Sequence, residues 1–499
     1  MMNIKSILAK PFAKRITTRI YKQSNNAVKI QNSVFKKLLK QAQNTTFGKD
    51  HNFSKINSYA EFKHQVPIRD YEDLKPYVER VVAGEKDILW KGKPLYFAKT
   101  SGTTSGTKYI PLTKASMPTH ITAARNALLH YIAETKKSDF LQGRMIFLQG
   151  SPEMGEKNGI KTGRLSGISA HYVPKYLQKN RLPSWKTNCI EDWETKVEAI
   201  IDETLHENMT LIGGIPSWVQ MYFERIVERT GKKVGEVFPN FNLFVYGGVN
   251  YEPYRNKFEN LIGRKVDTIE LYPASEGFIS YQDAQNEKGM LLLTNNGIFY
   301  EFIPAEEFYN ENPTRISLAD VKLGVNYVLI LNTNAGLWGY NIGDTVEFVS
   351  LDPHRIIVTG RIKHFISAFG EHVISNEVEN ALNFQTENTS IRINEFTVAP
   401  QITPEIGLPY HEWFIEFENK PADLALFAKN IDKSLQEQNS YYFDLIVGKI
   451  LQPLKITLIE KGGFHHYMKS VGKLGGQNKI PRLSNDRKIA NELSKFQEK

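Results

Sequence analysis

Residues 100–108 read TSGTTSGTK, with four threonines, two serines, two glycines and a lysine between the apolar runs PLYFA and YIPLT. Glycines let backbone N–H groups approach an anion closely, while hydroxyls and a lysine add donors and positive charge. Gly, Ser and Thr are also the usual residues of tight turns. The stretch therefore predicts either a phosphate-binding loop between two short strands or a solvated turn, followed by a helix from about Thr113 or Lys114.

The spacing within this stretch excludes two common nucleotide loops. A kinase-type phosphate loop needs G-x-x-x-x-G-K-[ST], but Gly102 and Gly106 are too close together and Lys108 precedes Tyr109. The dinucleotide fingerprint G-x-G-x-x-G occurs nowhere in the chain. A nucleotide-binding use of the loop therefore depends on partners elsewhere.

Two further motifs, YGGVN and LYPASEG, each follow an apolar run that is typical of a strand. Their polar residues should emerge at the carboxyl edge of a sheet, where open α/β sheets bind ligands. Gly247 and Gly248 would let a flat ring lie against the backbone, and Tyr272 would stack on a base. Glu276 would hold a Mg²⁺ ion together with its phosphates.

Two last motifs complete the set. YNIGDTVEF places Asp344 after a glycine and before a strand, where its carboxylate would receive two ribose hydroxyls, and GKLGGQNKIPR places Lys479 in a Gly-rich segment. Each residue has a structural alternative: Tyr272 in the core, Asp344 as a turn cap and Lys479 as a solvated surface lysine. Taken together and in this order, the motifs favour one nucleotide site.

Composition restricts the class of protein. A chain of 499 residues with 41% apolar residues should form more than one globular domain. The single cysteine, Cys189, excludes an internal disulfide framework and a cysteine-cluster zinc site, and it fits a reducing compartment. The chain has no apolar run long enough to span a bilayer and no secretory leader, so we expect a cytoplasmic protein without a transmembrane segment.

The net charge of +9 is concentrated in residues 1–49, which contain eleven Lys or Arg and no Asp or Glu. Apolar residues recur there at near-helical spacing. Three interpretations are open: helices packed on the domain with a solvated basic face, which we favour, helices that contact a membrane or another acidic surface, and an organelle-targeting peptide. Nucleic-acid binding has no other support in the sequence, and we do not expect it.

Helical and strand-like segments alternate beyond residue 50, which predicts an α/β fold with mixed, largely parallel sheets. We place a large N-terminal domain at 1–360 and a smaller, mobile C-terminal α+β domain at 361–499. The run TVEFVSL-DPH-RIIVTGR near the boundary predicts a hairpin. Predicted helices include Thr113–Thr135, Trp193–Asn208 and Ser217–Thr230, and predicted strands include RMIFLQ, TLIGGI, LFVYGG and TIELYP.

The order of these motifs resembles the adenylate-forming superfamily over nearly the whole chain. Within it, the chain resembles a bacterial member of the Gretchen Hagen (auxin-responsive) family of acyl-acid amido synthetases. The resemblance implies that Lys479 and Glu276 are catalytic and that Glu276 also binds the metal. The predicted nucleotide-binding residues are Ser101, Gly102, Thr103, Thr104, Ser105, Gly106, Thr107, Lys108, Gly247, Gly248, Tyr272, Ala274, Ser275, Asp344 and Arg361.

Two positions depart from the family pattern. Pro273 and Ala274 stand where plant members usually have a small residue and a serine, and Asn341 stands where they usually have arginine. Arg361 in TGRIKHF would supply the missing arginine contact, as its counterpart does in acyl-CoA synthetases.

The resemblance implies that ATP, with Mg²⁺, converts a carboxylic acid into an acyl-adenylate, and that an amine, most simply an amino acid, then displaces AMP. Two alternatives are an acyl-CoA ligase that shares the first step and a non-catalytic nucleotide-binding protein. The C-terminal GQNKIPR and the helix predicted at Trp193–Asn208 favour the amido synthetase. The chain has no G-x-S-x-G, and Cys189 lies outside the motifs, so covalent hydrolase chemistry has no support.

The acid pocket should be lined by the helix from His120 to Tyr131 and by the segments ISAHYV and GGIPSWVQMYF. An apolar, aromatic lining predicts a medium-sized hydrophobic or aromatic acid. The C-terminal domain should pivot near residues 360–363, so that Lys479 enters the site for the first step only. The predicted lining residues are Tyr131, Tyr172, Trp218 and Met221.

Overall fold

The fold is known from a computed structural model, which describes 4–100, 107–173, 178–190, 192–249, 251–362, 365–371, 373–387, 389–471 and 480–498. Among these residues, no helix combines the length and the apolar character needed to cross a membrane. The helices are α1 (Ile4–Ser24), α2 (Ala27–Ala42), α3 (Thr46–Asp50), α4 (Tyr59–Gln65), α5 (Tyr71–Val82), α6 (Met117–Thr135), α7 (Leu165–Ala170), α8 (Trp185–Asn188), α9 (Trp193–Thr204), α10 (Pro216–Thr230), α11 (Val234–Val237), α12 (Glu252–Ile262), α13 (Ser375–Thr386), α14 (Leu424–Gln438), α15 (Ser440–Val447), α16 (Gly463–Ser470) and α17 (Lys488–Leu493).

The strands form one large sheet and three smaller ones. They are β1 (Tyr96–Thr100), β2 (Lys108–Leu112), β3 (Arg144–Phe147), β4 (Gly155–Lys157), β5 (Ile160–Gly163), β6 (Arg181–Leu182), β7 (Met209–Gly213), β8 (Leu243–Gly247), β9 (Asp267–Ala274), β10 (Gly277–Tyr281), β11 (Met290–Leu292), β12 (Ile298–Pro304), β13 (Ile316–Ser317), β14 (Asn326–Thr333), β15 (Tyr340–Leu351), β16 (His354–Arg361), β17 (Phe365–Ile366), β18 (Val373–Ile374), β19 (Arg392–Gln401), β20 (Tyr410–Asn419) and β21 (Lys455–Ile459).

The large sheet has the order β13-β12-β14-β15-β16-β11-β10-β9-β8-β7-β3-β6. The run β6-β3-β7-β8-β9 is parallel, because helices connect most of these strands in sequence. From β9 onward the pairs are antiparallel, because short hairpins join several of these strands. The mixed α/β class is confirmed, and parallel pairing in this sheet is confined to one part of it.

Helices cover both faces of the parallel strands, and side chains alternate between the two faces along each strand. One face packs against α6 through Ala123, Ala127 and Tyr131, with α1 outside α6. The opposite face packs against α10 and α12, and its apolar core continues into the C-terminal unit. The two faces of the sheet therefore border two different spaces at the carboxyl ends of the strands.

The C-terminal unit packs on the N-terminal part through hydrogen bonds as well as apolar contacts. The Tyr254 hydroxyl on α12 donates to the carbonyl oxygen of Ala368 at 2.7 Å. Arg164, at the start of α7, forms an ion pair with Asp444 on α15. The unit contains the sheet β19-β20-β21. The domain boundary at Gly360 and Arg361 stays a prediction.

The two basic N-terminal helices pack on the rest of the chain. The Tyr21 hydroxyl on α1 donates to Oδ2 of Asp283 at 2.7 Å. Gln31 on α2 is buried, and its amide nitrogen donates to the carbonyl oxygens of Thr294 at 2.7 Å and Ile298 at 2.9 Å. The apolar spacing corresponds to a packed face on α2, where Val34, Phe35, Leu38 and Leu39 are buried, whereas Leu8 and Phe12 on α1 are exposed.

Candidate active site

The carboxyl ends of β8 and β9 lie side by side, because these two strands pair in parallel with Gly247 opposite Leu271. A Cβ atom on Gly247 would lie 2.4 Å from the carbonyl oxygen of Leu271, so only glycine fits there. Gly248 has a φ of +85°, a conformation that favours glycine. Gly247 is therefore packed closely on β9 and Gly248 is exposed beside it, and a nucleotide contact at these glycines stays a prediction.

Glu276 lies in the tight turn between β9 and β10, where Ala274 pairs with Gly277. Its side chain is buried, and the Tyr340 hydroxyl donates to Oε1 at 3.4 Å. Burial raises the pKa of Glu276 above its ordinary value, and the nearby charge of Lys108 opposes that rise. Glu276 is thus a largely desolvated acidic side chain that accepts hydrogen bonds from Tyr340 and from its own backbone N–H, with a cation close by.

Asp344 connects three strands of the large sheet. The Tyr272 hydroxyl on β9 donates to its Oδ2, and the Arg361 Nε on β16 donates to its Oδ1. Burial raises the pKa of Tyr272 well above its ordinary value, so the hydroxyl keeps its proton as a donor. Burial lowers the pKa of Arg361, but Asp344 more than offsets this and the net pKa is raised.

The backbone before Asp344 is held by a segment that the motif analysis did not single out. Arg69, in the stretch VPIRDYEDL, pairs with Tyr340 through a parallel bridge. The Arg69 N–H donates to the Gly339 carbonyl at 2.8 Å, and the Asn341 N–H donates to the Arg69 carbonyl at 2.8 Å. No local signal identifies this contact, because it joins residues that are far apart in the chain.

Thr100, the last residue of β1, pairs with Lys108, the first residue of β2. Ser101, Gly102, Thr103, Thr104, Ser105 and Gly106 lie outside the described residues, and Thr107 is exposed. The Lys108 ammonium lies 5.6 Å from the centre of the Tyr71 ring. The next residue, Tyr109, donates from its backbone N–H to the Tyr71 hydroxyl at 2.8 Å, which fixes the hairpin to α5.

Lys479 lies outside the described residues, but the chain that follows it is well anchored. Ile480 is buried in the C-terminal core. The Thr397 hydroxyl on β19 donates to the Pro481 carbonyl at 2.7 Å, and the Val398 N–H donates to the Arg482 carbonyl at 3.0 Å.

The structure does not bring the four predicted pocket residues together. Tyr131 lies at the opposite end of the parallel strands, since its hydroxyl donates at 2.7 Å to Asp267, the first residue of β9. Tyr172 bonds to the Tyr96 hydroxyl at 3.1 Å at the start of β1. A helical pattern identifies a buried face but not which end of a sheet each turn covers.

Trp218 and Met221 lie in the first turns of α10, just after the carboxyl end of β7. Both are buried in the core that continues into the C-terminal unit. Met221 lines a small cavity with Leu408, Pro409 and Ile450 of that unit. These two side chains therefore lie near the site but on the face opposite α6.

Comparisons with family models and with known proteins each match most of the chain. Sequence models of the GH3 family N-terminal, central and C-terminal domains match residues 16–191, 291–361 and 376–488. The chain is 21% identical to the jasmonoyl–L-amino acid synthetase JAR4 of Nicotiana attenuata, over 92% of this chain and 91% of that protein. It is also 21% identical to the indole-3-acetic acid-amido synthetase GH3.3 of Arabidopsis thaliana, over 96% and 94%.

Two solved structures share the fold. One is the AtGH3.15 acyl acid amido synthetase in complex with 2,4-DB, with a TM-score of 0.61, 17% identity and coverage of 98% of this chain and 96% of that one. The other is a 2-hydroxyisobutyryl-CoA ligase in complex with 2-HIB-AMP and CoA, with a TM-score of 0.60, 13% identity and coverage of 94% and 91%.

Proposed function

Because the chain belongs to the GH3 family, we propose that it is an acyl-acid amido synthetase, which activates a carboxylic acid with ATP and joins the acyl group to an amine. In the first step a carboxylate oxygen attacks the α-phosphorus of ATP and pyrophosphate leaves. In the second step the amine nitrogen attacks the acyl carbonyl carbon, the bond to AMP breaks and the amine loses a proton. Neither step needs a nucleophilic side chain.

One observation carries this proposal: two buried carboxylates, Glu276 and Asp344, lie at one edge of the sheet, with the Lys108 charge acting on Glu276. A nucleotide needs an acceptor for its ribose hydroxyls, a metal ligand and donors for its phosphates. Asp344 would accept the ribose hydroxyls, since an ionised carboxylate accepts about four hydrogen bonds and only two donors to Asp344 are described.

The remaining nucleotide contacts follow from the same placement. The adenine would lie on the backbone of Gly247 and Gly248 beside Tyr272, with Ala274 and Ser275 next to it. Arg361 would contact a phosphate or the ribose from β16. The hairpin residues Ser101, Gly102, Thr103, Thr104, Ser105, Gly106, Thr107 and Lys108 would surround the phosphates.

The residues present fit a Mg²⁺ ion held together with the phosphates of ATP. Among the described residues, no three His, Cys, Asp or Glu side chains are grouped so as to hold a metal by themselves. Mg²⁺ is usually bound through one or two carboxylates plus substrate phosphates, and Glu276 provides one such carboxylate. When bound, the ion supplies positive charge that stabilises the phosphate oxygens.

Lys479 would stabilise charge that develops during adenylation. The C-terminal unit would pivot near Gly360 and Arg361, bringing Lys479 in for the first step and withdrawing it before the amine enters. The hydrogen bond from Thr397 on β19 to the Pro481 carbonyl supports this role, because Lys479 would then move together with the whole C-terminal unit.

The acid would bind on the face covered by α6. Phe147, Val245 and Leu271 are partly buried there, near the carboxyl ends of β3, β8 and β9. These side chains give the acid an apolar wall next to Gly247 and Gly248, which supports a hydrophobic or aromatic acyl group. The acceptor would be an amino acid, as the names of the plant relatives state for those proteins.

A CoA ligase is the second candidate, favoured by the likeness in fold to the 2-hydroxyisobutyryl-CoA ligase. ATP–pyrophosphate exchange over a panel of carboxylic acids tests the first step. The best acid is then supplied with amino acids in one reaction and with CoA in another. Amide without thioester supports the amido synthetase, thioester without amide overturns it, and no exchange with any acid favours a nucleotide-binding protein without catalysis.

The biological setting belongs to the same proposal. The chain would be a bacterial member of the family, as the departures at Ala274 and Asn341 from the plant pattern suggest, and it would act in the cytoplasm on small molecules. Its basic N-terminal helices would contact at most an acidic surface and not nucleic acid.

A further inference from the structure

Two buried hydrogen-bond donors without acceptors lie next to each other beside the carboxyl end of β3. The Arg181 guanidinium donates through one terminal nitrogen to Oε1 of Gln149 at 2.7 Å. Among the described residues, neither Arg181 Nε nor Gln149 Nε2 has a hydrogen-bond partner, and no carboxylate forms an ion pair with Arg181. Burial lowers the pKa of Arg181 to about 10, with no charged group contributing.

A desolvated cation without an anionic partner is costly, and buried donors in native proteins are nearly always satisfied. A planar guanidinium with an adjacent amide donor matches the two oxygens of a carboxylate. The Gln149 backbone is held as well, because the buried Lys196 ammonium donates to its carbonyl oxygen at 3.2 Å. The pair therefore has the chemistry of a binding site for a carboxylate.

The pair faces the same side of the sheet as the proposed acid site. Arg181 pairs with Met145, and its guanidinium lies 5.2 Å from the centre of the Phe147 ring, so the side chain extends along β3 towards its carboxyl end. Phe147 lies against Gly213 of β7, where an added Cβ atom would come within 2.9 Å of the ring. Met145 and Phe147 belong to the core face covered by α6.

Another buried polar side chain, His120, lies on α6, which packs on β9 and β10. The side chain is 4% exposed, and neither ring nitrogen has a hydrogen-bond partner among the described residues. Burial lowers its pKa to about 4, so the ring is neutral near pH 7. His120 lies on the helix face that carries Ala123, Ala127 and Tyr131, which packs against the sheet.

The position of His120 along the sheet follows from helix geometry. Tyr131 on the same face contacts the start of β9. The Thr113 hydroxyl just before α6 donates at 2.8 Å to the Asn334 carbonyl, which follows the end of β14 that pairs with Tyr340, the donor to Glu276. Eleven residues of helix span about 16 Å, which equals roughly five residues of strand. His120 therefore lies at about the level of Tyr272, near the carboxyl end of β9.

We infer that the acyl substrate carries a second carboxylate at its far end, which Arg181 and Gln149 bind beside the Phe147 ring. This inference rests on the proposed function. Neighbouring strands are about 4.8 Å apart, so β3 lies about 10 Å from β8, where the adenylate would form. The carboxylate of an α-amino acid acceptor lies only about 2.5 Å from its amine, too short a span to reach Arg181.

The test compares α,ω-dicarboxylic acids with monocarboxylic acids of the same chain length in ATP–pyrophosphate exchange. Wild type should use the diacid about ten- to a hundredfold better in kcat/KM, the range of a charge-assisted pair. Arg181→Met should remove this preference and leave the monoacid within about threefold of wild type, and Gln149→Met should reduce the preference in part. Arg144→Met, at the opposite end of β3, is the matched control and should keep the preference.

Equal loss with both acids in Arg181→Met would indicate a structural role and overturn the inference. A wild type without preference for diacids, or a loss confined to the KM of the amine, would do the same. Calorimetric binding of the diacid and the monoacid in the presence of ATP is a second readout. If no acid supports exchange, the proposed function fails. Tighter binding of the diacid than of the monoacid, if it depends on Arg181, still supports the carboxylate site. Equal binding of the two acids refutes that site.

Discussion

Asp344 and Arg361 face each other as cross-strand partners at the open end of the β15–β16 hairpin, and the Arg361 Nε donates to Oδ1 of Asp344. Arg361 is the last residue of β16 and the first residue of the predicted C-terminal domain. The proposed ribose-binding carboxylate is therefore bonded to the residue at which the chain leaves the large sheet.

Asp344→Asn should weaken ATP binding about ten- to a hundredfold, because a charged acceptor worth roughly 1.5–3 kcal/mol becomes a neutral amide with one acceptor oxygen. Tyr272→Phe keeps the carboxylate and removes one donor to it, so we expect a smaller loss. Calorimetric titration with ATP measures both variants, and circular dichroism confirms folding. Wild-type ATP affinity in a folded Asp344→Asn protein would remove Asp344 from the site.

Glu276→Gln should raise the Mg²⁺ concentration needed for half-maximal pyrophosphate exchange, because an anionic metal ligand is replaced by a neutral one. Saturating Mg²⁺ should restore part of the rate. The neighbouring Ser275→Ala variant serves as the control and should keep the wild-type Mg²⁺ dependence. A defect of equal size at every Mg²⁺ concentration would contradict the metal role of Glu276.

Lys479→Ala should lower kcat for adenylation by two to four orders of magnitude, on the order of 3–5 kcal/mol, since the ammonium acts on charge that appears in the transition state. The reaction of supplied acyl-adenylate with amine should stay within about tenfold of wild type. Lys473→Ala in the same Gly-rich segment is the matched control. Equal losses in both half-reactions would point to a general structural role for Lys479.

Tyr131→Phe should destabilise the protein by about 1 kcal/mol, because the hydrogen bond to Asp267 is lost. The KM for the acid should not change, since Tyr131 lies at the end of the strands away from the site. Urea unfolding and exchange kinetics measure the two effects separately. An increase in the acid KM would restore Tyr131 to the pocket.

The free energy of unfolding should fall as the pH drops from about 6.5 to about 4. Burial lowers the pKa of His120 and of His130 to about 4, so in this window the unfolded chain binds protons at both residues and the folded chain does not. Each histidine contributes a slope of up to about 1.4 kcal/mol per pH unit. Urea unfolding at a series of pH values measures the slope.

His120→Asn should reduce the slope of unfolding free energy against pH by up to about 1.4 kcal/mol per pH unit, which corresponds to one proton. The same substitution at the exposed His64 controls for the change of side chain. An unchanged slope in His120→Asn would mean that His120 is protonated to the same extent in the folded and unfolded states.

The order of motifs predicts one nucleotide site, and the structure brings two of the predicted residues, Tyr272 and Asp344, into contact. Gly247 ends β8, Tyr272 lies near the end of β9 and Glu276 follows β9, and the chain direction of parallel strands sends such residues to one edge. The β15–β16 hairpin was predicted because its two strands and its turn are consecutive in the chain. Features that depend on a few consecutive residues can be read from the sequence.

The proposed position of the acid depends on the tertiary structure. Tyr131 and His120 share one helix face, yet they lie at opposite ends of the sheet, because the direction of α6 relative to β9 is set by long-range packing. Arg181 belongs to a strand of two residues, too short to show a period, and Gln149 follows another strand. That Arg181 Nε and Gln149 Nε2 find no acceptor in the described part of the chain emerges only when β6 pairs with β3, because whether a polar group is satisfied depends on neighbours that are distant in the chain.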